Sequence, residues 1–164
     1  MSVRSGIGWD SHRLVDGRPL VLGGVTIPHD RGLEGHSDAD VLAHAIMDAL
    51  LGAAALGDIG EHFPDSDERF RGADSMALLR NVVAALATRG LRIVHVDATV
   101  LMERPKLAGH REAIRASLAS GLDVATAQVN VKASTAEGMG FVGRQEGVAA
   151  LAVATLRRDD RGIG

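Results

Sequence analysis

The sequence predicts an α+β fold in which helices cover one side of a mixed β-sheet, giving a two-layer sandwich. Segments whose apolar residues recur at helical spacing lie between segments that alternate apolar and polar residues, which is typical of strands with one buried face. The 164 residues, 46% of them hydrophobic, suffice for one domain with its own core. We expect a single domain over residues 1–158 and a flexible tail over residues 159–164.

The chain is expected to open with strands. Residues 3–9 have the composition of a strand. The apolar triplets 20–22 and 25–27 are separated by Gly23 and Gly24, which is the spacing of a two-residue β-hairpin.

A long helix is predicted next. Ser37 and Asp40, three residues apart, resemble a capping box and predict a helix that runs to about Leu56. Asp40, His44 and Asp48 lie at i, i+4 and i+8, on one stripe of that helix. His44 is therefore expected to point away from its apolar side.

The rest of the chain alternates between helices and strands after an irregular stretch over residues 57–73, which is as long as functional loops usually are. The expected elements are, in order, a helix from Ser75 to Arg89 ended by Gly90, a strand over 91–102, a helix that follows Pro105 and stops at Gly121, a strand over 128–134 and a last helix from Arg144 to Arg158.

The two later strands are predicted to have one apolar and one polar face. The apolar face of the first should carry Val94, Val96, Ala98 and Val100. The polar faces should carry His95, Asp97, Thr99, Asn130 and Lys132. These faces could simply be solvated, or sheets of several subunits could meet around an axis and form pockets there.

Composition excludes several kinds of site and partner. The chain has no cysteine, so any metal must be bound by nitrogen and oxygen. A net charge of −3 and 2% aromatic residues argue against nucleic acid. Without a signal pattern or an apolar run long enough for a membrane, the protein is expected to be cytoplasmic, with no membrane partner. Lys106 and Lys132 are the only lysines among 18 basic residues, which favours positions where a compact ammonium matters.

A metal site is the strongest chemical hypothesis. Asp10 and His12 project to the same face of a strand, because side chains repeat every two residues. With His44 they offer one carboxylate and two imidazoles, a set that suits zinc and leaves one tetrahedral position open for chemistry. The alternative is that Asp10 is a cap and that both histidines are ordinary polar residues.

Two loops are further candidates. Thr135, Glu137 and Arg144 follow a strand among glycines, and such a loop could hold an anion together with a hard cation, although Ser-Thr-x-Glu is also a common helix start. Asp58 and Asp65 could bind sugar-type hydroxyls, although acidic residues among Pro and Ser are often only turn formers.

Several short motifs together resemble the 2-C-methyl-D-erythritol 2,4-cyclodiphosphate synthase family, from about residue 4 to residue 157. The motifs are Asp10-Ser-His12, Gly35-His36-Ser37-Asp38-Ala-Asp40, Ala54-Ala-Leu-Gly-Asp58-Ile-Gly60, Phe63-Pro-Asp65, Pro105-Lys106-Leu107, Asn130-Val-Lys132-Ala and Gly140-Phe141. Trp9, Gly109 and Gly138 depart from the family pattern without removing a proposed ligand.

The resemblance implies a phosphorus–oxygen lyase of non-mevalonate isoprenoid precursor biosynthesis. Such an enzyme converts 4-diphosphocytidyl-2-C-methyl-D-erythritol 2-phosphate to 2-C-methyl-D-erythritol 2,4-cyclodiphosphate and releases CMP. It also implies a homotrimer whose active sites lie between neighbouring subunits.

By the same resemblance, Asp10, His12 and His44 would bind one zinc ion per subunit. Glu137 would hold Mg²⁺ or Mn²⁺ on the substrate diphosphate, and His36 and Thr135 would stabilise the transferred phosphoryl group. Residues expected to contact the substrate are Ser37, Asp58, Ile59, Gly60, Phe63, Asp65, Asp67, Met102, Pro105, Lys106, Leu107, Ala108, Ser134, Thr135, Glu137, Phe141 and Arg144.

Two other classes of protein would also use such residues. A metal-dependent phosphohydrolase would release inorganic phosphate instead of CMP and a cyclic product. A non-catalytic metal-binding oligomer would need four protein ligands and no open position.

Overall fold

A computed structural model describes residues 2–158, so the tail predicted for residues 159–164 lies outside the described residues. The strands are β1 (Val3–Asp16), β2 (Leu20–Leu22), β3 (Val25–Ile27), β4 (Arg31–Leu33), β5 (Leu91–Leu101), β6 (Val129–Ser134) and β7 (Gly147–Arg158). The α-helices are α1 (Val41–Ala54), α2 (Ile59–His62), α3 (Ser75–Ala87), α4 (Arg111–Leu122) and α5 (Gly140–Gly143). Two single 3₁₀ turns span Glu68–Phe70 and Thr126–Gln128.

The main sheet is mixed, with strand order β4-β1-β7-β5-β6. Its β5–β6 pair is parallel and its other pairs are antiparallel, while β2 and β3 form the predicted hairpin. Helix α1 packs on β1 and β7, α3 packs on β5, and α4 packs on β6. The predicted α+β fold with a helix-covered sheet is confirmed.

Helix α1 lies unusually close to β1. Gly6 and Gly8 face the backbone of the helix, and a Cβ on either glycine would overlap the carbonyl oxygen of Ala49 or Ala45 respectively. Alanines on the helix and glycines on the strand therefore allow an approach that larger side chains would prevent. This contact fixes where the residues at the C-terminal half of β1 stand relative to α1.

The prediction of a last helix over Arg144–Arg158 is wrong. Residues 147–158 form β7, which lies between β1 and β5 at the centre of the sheet. Ala150, Ala152 and Ala154 are buried on the helix-covered face, whereas Leu151 and Val153 are partly exposed on the other. Because both faces of β7 carry apolar residues, its sequence does not show the apolar–polar alternation that marks a strand. Its alanines favour a helix, but tertiary packing in the sheet overrides that propensity.

Other element boundaries also differ from the sequence predictions. Strand β1 continues past residue 9 to Asp16, because its polar second half still pairs with β7 and then with β4. Helix α1 begins at Val41, since the side chain of Asp40, not that of Ser37, accepts the capping hydrogen bond from the backbone N–H of Ala43. Helix α4 begins only at Arg111.

Val94 is not on the buried face of β5, contrary to the prediction. The pairing of β5 with β7 shifts register between Ile93 and His95, and this bulge leaves Val94 exposed. A bulge inserts one unpaired residue, so the side-chain alternation restarts after it. Val96, Ala98 and Val100 are buried as expected.

The uncovered face of the sheet is apolar along β1 and β7 and polar along β5 and β6. Its exposed apolar side chains are Val3, Ile7, Trp9, Leu151 and Val153. On the polar part, Asp97 accepts hydrogen bonds from Asn130 Nδ2 at 2.9 Å and from Lys132 Nζ at 2.7 Å. Within residues 2–158, no helix has the length and apolar character needed to cross a membrane.

Candidate metal centre and substrate cleft

Three side chains from β1 and α1 converge on one point. Asp10 Oδ2 lies 2.9 Å from His12 Nε2 and 3.1 Å from His44 Nδ1, and the two ring nitrogens are 3.3 Å apart. Zinc bonds of about 2.0–2.1 Å in a tetrahedron place neighbouring ligand atoms about 3.3 Å apart. The three donor atoms therefore fit three corners of such a site.

The electrostatics of this cluster suit a cation. Burial alone raises the pKa of Asp10, but the hydrogen bonds and charges of His12 and His44 outweigh it and lower that pKa to about 2. Burial lowers the pKa of His12, but the Asp10 carboxylate outweighs burial and raises it. Asp10 is thus a carboxylate at neutral pH, ready to act as an anionic ligand.

Each histidine has a second partner for the ring nitrogen that faces away from the cluster. His12 Nδ1 lies 2.8 Å from the carbonyl oxygen of Glu34. His44 Nε2 lies 2.8 Å from Ser75 Oγ and 3.3 Å from Ser37 Oγ. Such outer partners orient imidazole ligands of metals.

A cleft of about 460 Å³ opens beside the three donor atoms and is called the metal-side cleft below. It brings together the three predicted zinc ligands and most of the predicted substrate-contacting residues between positions 36 and 67. Its lining includes Asp10, His12, His44, His36, Ser37, Ile59, Gly60, Phe63 and Asp65. Asp58, also predicted to contact the substrate, does not line this cleft. Its carboxylate caps α2 by accepting from Glu61 N–H.

His36, which lines this cleft, has a ring nitrogen without a partner. Its Nε2 is buried and has no hydrogen-bond partner among the residues that the structure describes. An unpaired buried nitrogen is costly unless a ligand satisfies it. His36 is held from behind by Arg18, whose guanidinium donates to the carbonyl oxygens on both sides of it, at Gly35 (3.3 Å) and Ser37 (3.0 Å).

The predicted nucleotide residues lie elsewhere in the chain. A second pocket of about 180 Å³ is lined by Met102, Pro105, Lys106, Leu107, Ala108, Ser134 and Thr135. It shares no lining residue with the metal-side cleft. Thr135 and His36, both expected at the phosphoryl group, therefore line different pockets of one chain.

Four further predicted residues line neither of these two pockets. The carboxylate of Asp67 accepts hydrogen bonds from the backbone and guanidinium of Arg69. Arg144 pairs with Glu146 at 2.9 Å. Phe141 is 39% exposed, and Glu137 has a positive φ of 53° and an exposed side chain. Their roles toward a substrate stay predictions.

Sequence reasoning gave no role to Arg18, Asp38 or Ser75. Asp38 lies within a quoted motif, and its carboxylate accepts hydrogen bonds from both the backbone N–H and the hydroxyl of Ser75. Ser75 was predicted only as the first residue of a helix. Nothing in sequence spacing connects it with His44, 31 residues earlier.

Comparison with known proteins agrees with this arrangement. The model of the YgbB family matches residues 3–157. Two relatives named 2-C-methyl-D-erythritol 2,4-cyclodiphosphate synthase are each 60% identical. One, from Salinibacter ruber, aligns over 94% of this chain and 99% of its own length, and the other, from Laribacter hongkongensis, over 96% and 97%.

Solved structures have the same fold. The bifunctional IspDF of Campylobacter jejuni superposes with a TM-score of 0.93 at 43% identity, covering 97% of this chain, which spans 43% of that longer chain. A CDP-bound 2C-methyl-D-erythritol-2,4-cyclodiphosphate synthase superposes with a TM-score of 0.87 at 40% identity, covering 94% of this chain and all of its own. The chain therefore belongs to the 2-C-methyl-D-erythritol 2,4-cyclodiphosphate synthase (YgbB) family.

Proposed function

We propose that the protein converts 4-diphosphocytidyl-2-C-methyl-D-erythritol 2-phosphate to 2-C-methyl-D-erythritol 2,4-cyclodiphosphate and CMP, as a phosphorus–oxygen lyase of non-mevalonate isoprenoid precursor biosynthesis. The observation that carries this proposal is the cluster of Asp10, His12 and His44, open on one side to a cleft. The identity of the proposed substrate follows from membership of the family.

The reaction needs positioning and positive charge more than an enzymatic nucleophile. The 2-phosphate of the substrate attacks the phosphorus next to the methylerythritol; the new P–O bond closes the ring as the P–O bond to CMP breaks. This phosphate is largely ionised near neutral pH, because its second pKa is about 6. Holding two such groups at reacting distance can be worth about 7–11 kcal/mol.

The residues of the metal-side cleft supply this positioning. Asp10, His12 and His44 would hold zinc, which supplies Lewis-acid stabilisation of phosphate charge when it is bound. His36 lines the same cleft and its Nε2 has no hydrogen-bond partner among the described residues, so its imidazole would be available to donate to a phosphoryl oxygen where charge develops. Ile59, Gly60, Phe63 and Asp65 would contact the methylerythritol part.

The nucleotide would bind in the second pocket. Lys106 contributes a basic side chain to its lining, and Met102 and Leu107 supply buried apolar surface. Glu137, two residues after Thr135, would hold Mg²⁺ or Mn²⁺ with its carboxylate, a ligand type that such hard cations prefer. Phe141 and Arg144 follow on the same segment.

We infer a homotrimer in which each active site joins the metal-side cleft of one subunit to the nucleotide pocket of the next. Two observations support this. The two pockets are separate within one chain. The uncovered face of the sheet exposes Ile7 (68%) and Trp9 (52%) beside Leu151 and Val153, a cluster of apolar surface that monomers seldom leave in water.

Product analysis tests the reaction. The purified protein, supplied with zinc and magnesium, is incubated with the cytidine substrate, and the products are identified by mass spectrometry and ³¹P NMR. We expect equal amounts of CMP and a cyclic diphosphate. Release of inorganic phosphate would instead identify a phosphohydrolase, and tight metal binding with no turnover would favour a non-catalytic metal-binding oligomer.

A further inference from the structure

His44 is linked through hydrogen bonds to two buried or partly buried side chains, Ser75 and then Asp38, that the proposed reaction itself does not use. Ser75 is fully buried at the first turn of α3, and its hydroxyl lies between His44 Nε2 and the carboxylate of Asp38. Asp38 receives two hydrogen bonds from Ser75, one from the hydroxyl to Oδ1 and one from the backbone N–H to Oδ2, at 2.9 Å. Oδ1 also accepts from the backbone N–H of Asp40 at 3.2 Å, so three contacts from two residues orient the carboxylate.

The direction of each hydrogen bond follows from the groups involved. A carboxylate only accepts, so the hydroxyl proton of Ser75 must point to Asp38. Ser75 Oγ then has only lone pairs left for His44, so the proton between them must belong to His44 Nε2. With Nε2 protonated, a neutral imidazole has its free lone pair on Nδ1.

Nδ1 is the nitrogen that faces the metal position. It lies 3.1 Å from Asp10 Oδ2 and 3.3 Å from His12 Nε2. In the metal-free protein the carboxylate of Asp10 attracts a proton to Nδ1, which would block metal binding. The contact with Ser75 opposes this, because a proton on Nδ1 alone would leave Nε2 and Ser75 Oγ 2.8 Å apart with no proton between them. The hydroxyl of Ser37, at 3.3 Å, is a more distant neighbour of the same nitrogen.

We propose that Asp38 and Ser75 are positioning residues that keep His44 in the tautomer with a free Nδ1, and so prepare the metal site before the ion arrives. This inference rests on the proposed zinc centre. His12 has an equivalent arrangement through the backbone, since its Nδ1 can donate to Glu34 O. His44 differs because it is oriented by the side chains of Ser75 and Asp38, and side chains, unlike a backbone carbonyl, can be changed by substitution.

Substitution of Asp38 gives a directional test. In Asp38→Ala the hydroxyl of Ser75 loses its carboxylate acceptor. The hydroxyl can then point its proton at His44 Nε2, which moves the imidazole proton to Nδ1, beside Asp10. Ser75→Ala instead removes the oxygen that accepts from His44 Nε2. Asp74→Ala is the matched control, because Asp74 caps the same helix through Met76 N–H without contacting His44.

The experiment measures zinc affinity and the tautomer separately. Zinc dissociation constants come from competition with a chromogenic chelator, starting from metal-free protein. Long-range ¹H–¹⁵N NMR on the metal-free proteins, at a pH where His44 is neutral, identifies which ring nitrogen carries the proton. We expect Nε2–H in the wild type and Nδ1–H in Asp38→Ala. Both Asp38→Ala and Ser75→Ala should bind zinc about 10–100-fold more weakly, whereas Asp74→Ala should not differ from wild type.

The outcomes distinguish the proposal from the metal centre on which it rests. Failure of the wild type to bind one zinc per chain would reject the centre itself. Wild-type zinc binding with Nδ1–H in the metal-free protein would overturn the positioning role, even if both variants failed to fold. A folded Asp38→Ala protein with unchanged zinc affinity would overturn it equally.

Discussion

Gly8 of β1 lies directly against the carbonyl oxygen of Ala45 in α1, leaving no room for a Cβ. Ala45 follows His44, and Gly8 precedes Asp10 by two residues on the same face of the strand. This contact therefore determines how far the His44 imidazole stands from the Asp10 carboxylate. The metal cluster depends on a helix–strand distance that only glycine permits at this position.

The first prediction concerns this contact. Gly8→Ala should destabilise the protein by at least about 2–3 kcal/mol, because the atoms that it meets are backbone and cannot turn away. It should also weaken zinc binding by moving α1 outward. Denaturant unfolding and a zinc titration measure the two effects.

Gly52→Ala on the same helix is the matched control. Its Cβ would meet nothing closer than 3.9 Å, so it should gain about 0.5–1 kcal/mol from better helix propensity. Equal stability of wild type and Gly8→Ala would show that the helix–strand distance is not fixed by this glycine.

The second prediction concerns the metal ligands. His44→Ala should reduce zinc affinity and kcat by more than about 100-fold, since two ligands cannot hold an open tetrahedral site. This loss exceeds the one typical of residues that only hydrogen-bond to a metal ligand. Elemental analysis gives the zinc content, and circular dichroism checks that the chain is folded. Normal activity with full zinc would contradict the assignment of His44.

The third prediction concerns the second cation. Glu137→Gln should keep its zinc but need a higher concentration of Mg²⁺ or Mn²⁺ for half-maximal rate, because a neutral amide is a poorer ligand for a hard cation. A titration of rate against each cation measures this. A curve that superposes on the wild-type curve would assign Glu137 another role.

The fourth prediction concerns pH. Partial burial tends to raise the pKa of Asp97, but hydrogen bonds from Lys132 and Asn130 outweigh it and hold that pKa below its usual 3.8. The stabilisation is therefore fully present above pH 3.8 and is lost as the pH falls through the lower, folded-state value. For this exposed pair it should be under about 1 kcal/mol.

Urea unfolding of Asp97→Asn and of the wild type at several pH values tests this. The difference in unfolding free energy should be constant from neutral pH down to mild acid and should close below pH 3.8. A gap that persists at the lowest pH where both proteins fold would show that charge on Asp97 is not its origin.

Sequence predicts this fold and site unevenly, for physical reasons. Asp10, His12 and His44 could be predicted as candidate ligands because local periodicity gives the face on which each lies. Asp10 and His12 share one face of a strand, and His44 lies on the polar stripe of a helix. β7 could not be predicted as a strand, because Leu151 and Val153 make its outer face as apolar as its inner one. Ser75 and Arg18 act through hydrogen bonds to residues distant in the sequence, which leave no periodic pattern in the chain.

We propose that the cleft holding His12 and the pocket holding Lys106 complete one active site across two subunits. The direct test mixes two nearly inactive variants, His12→Ala and Lys106→Ala, denatures them together and refolds them. In a closed ring of three, every mixed trimer contains one site with both halves intact. A random equal mixture should therefore recover about a quarter of wild-type activity. No recovery in mixed trimers verified by native mass spectrometry, or a monomer by light scattering, would contradict the account.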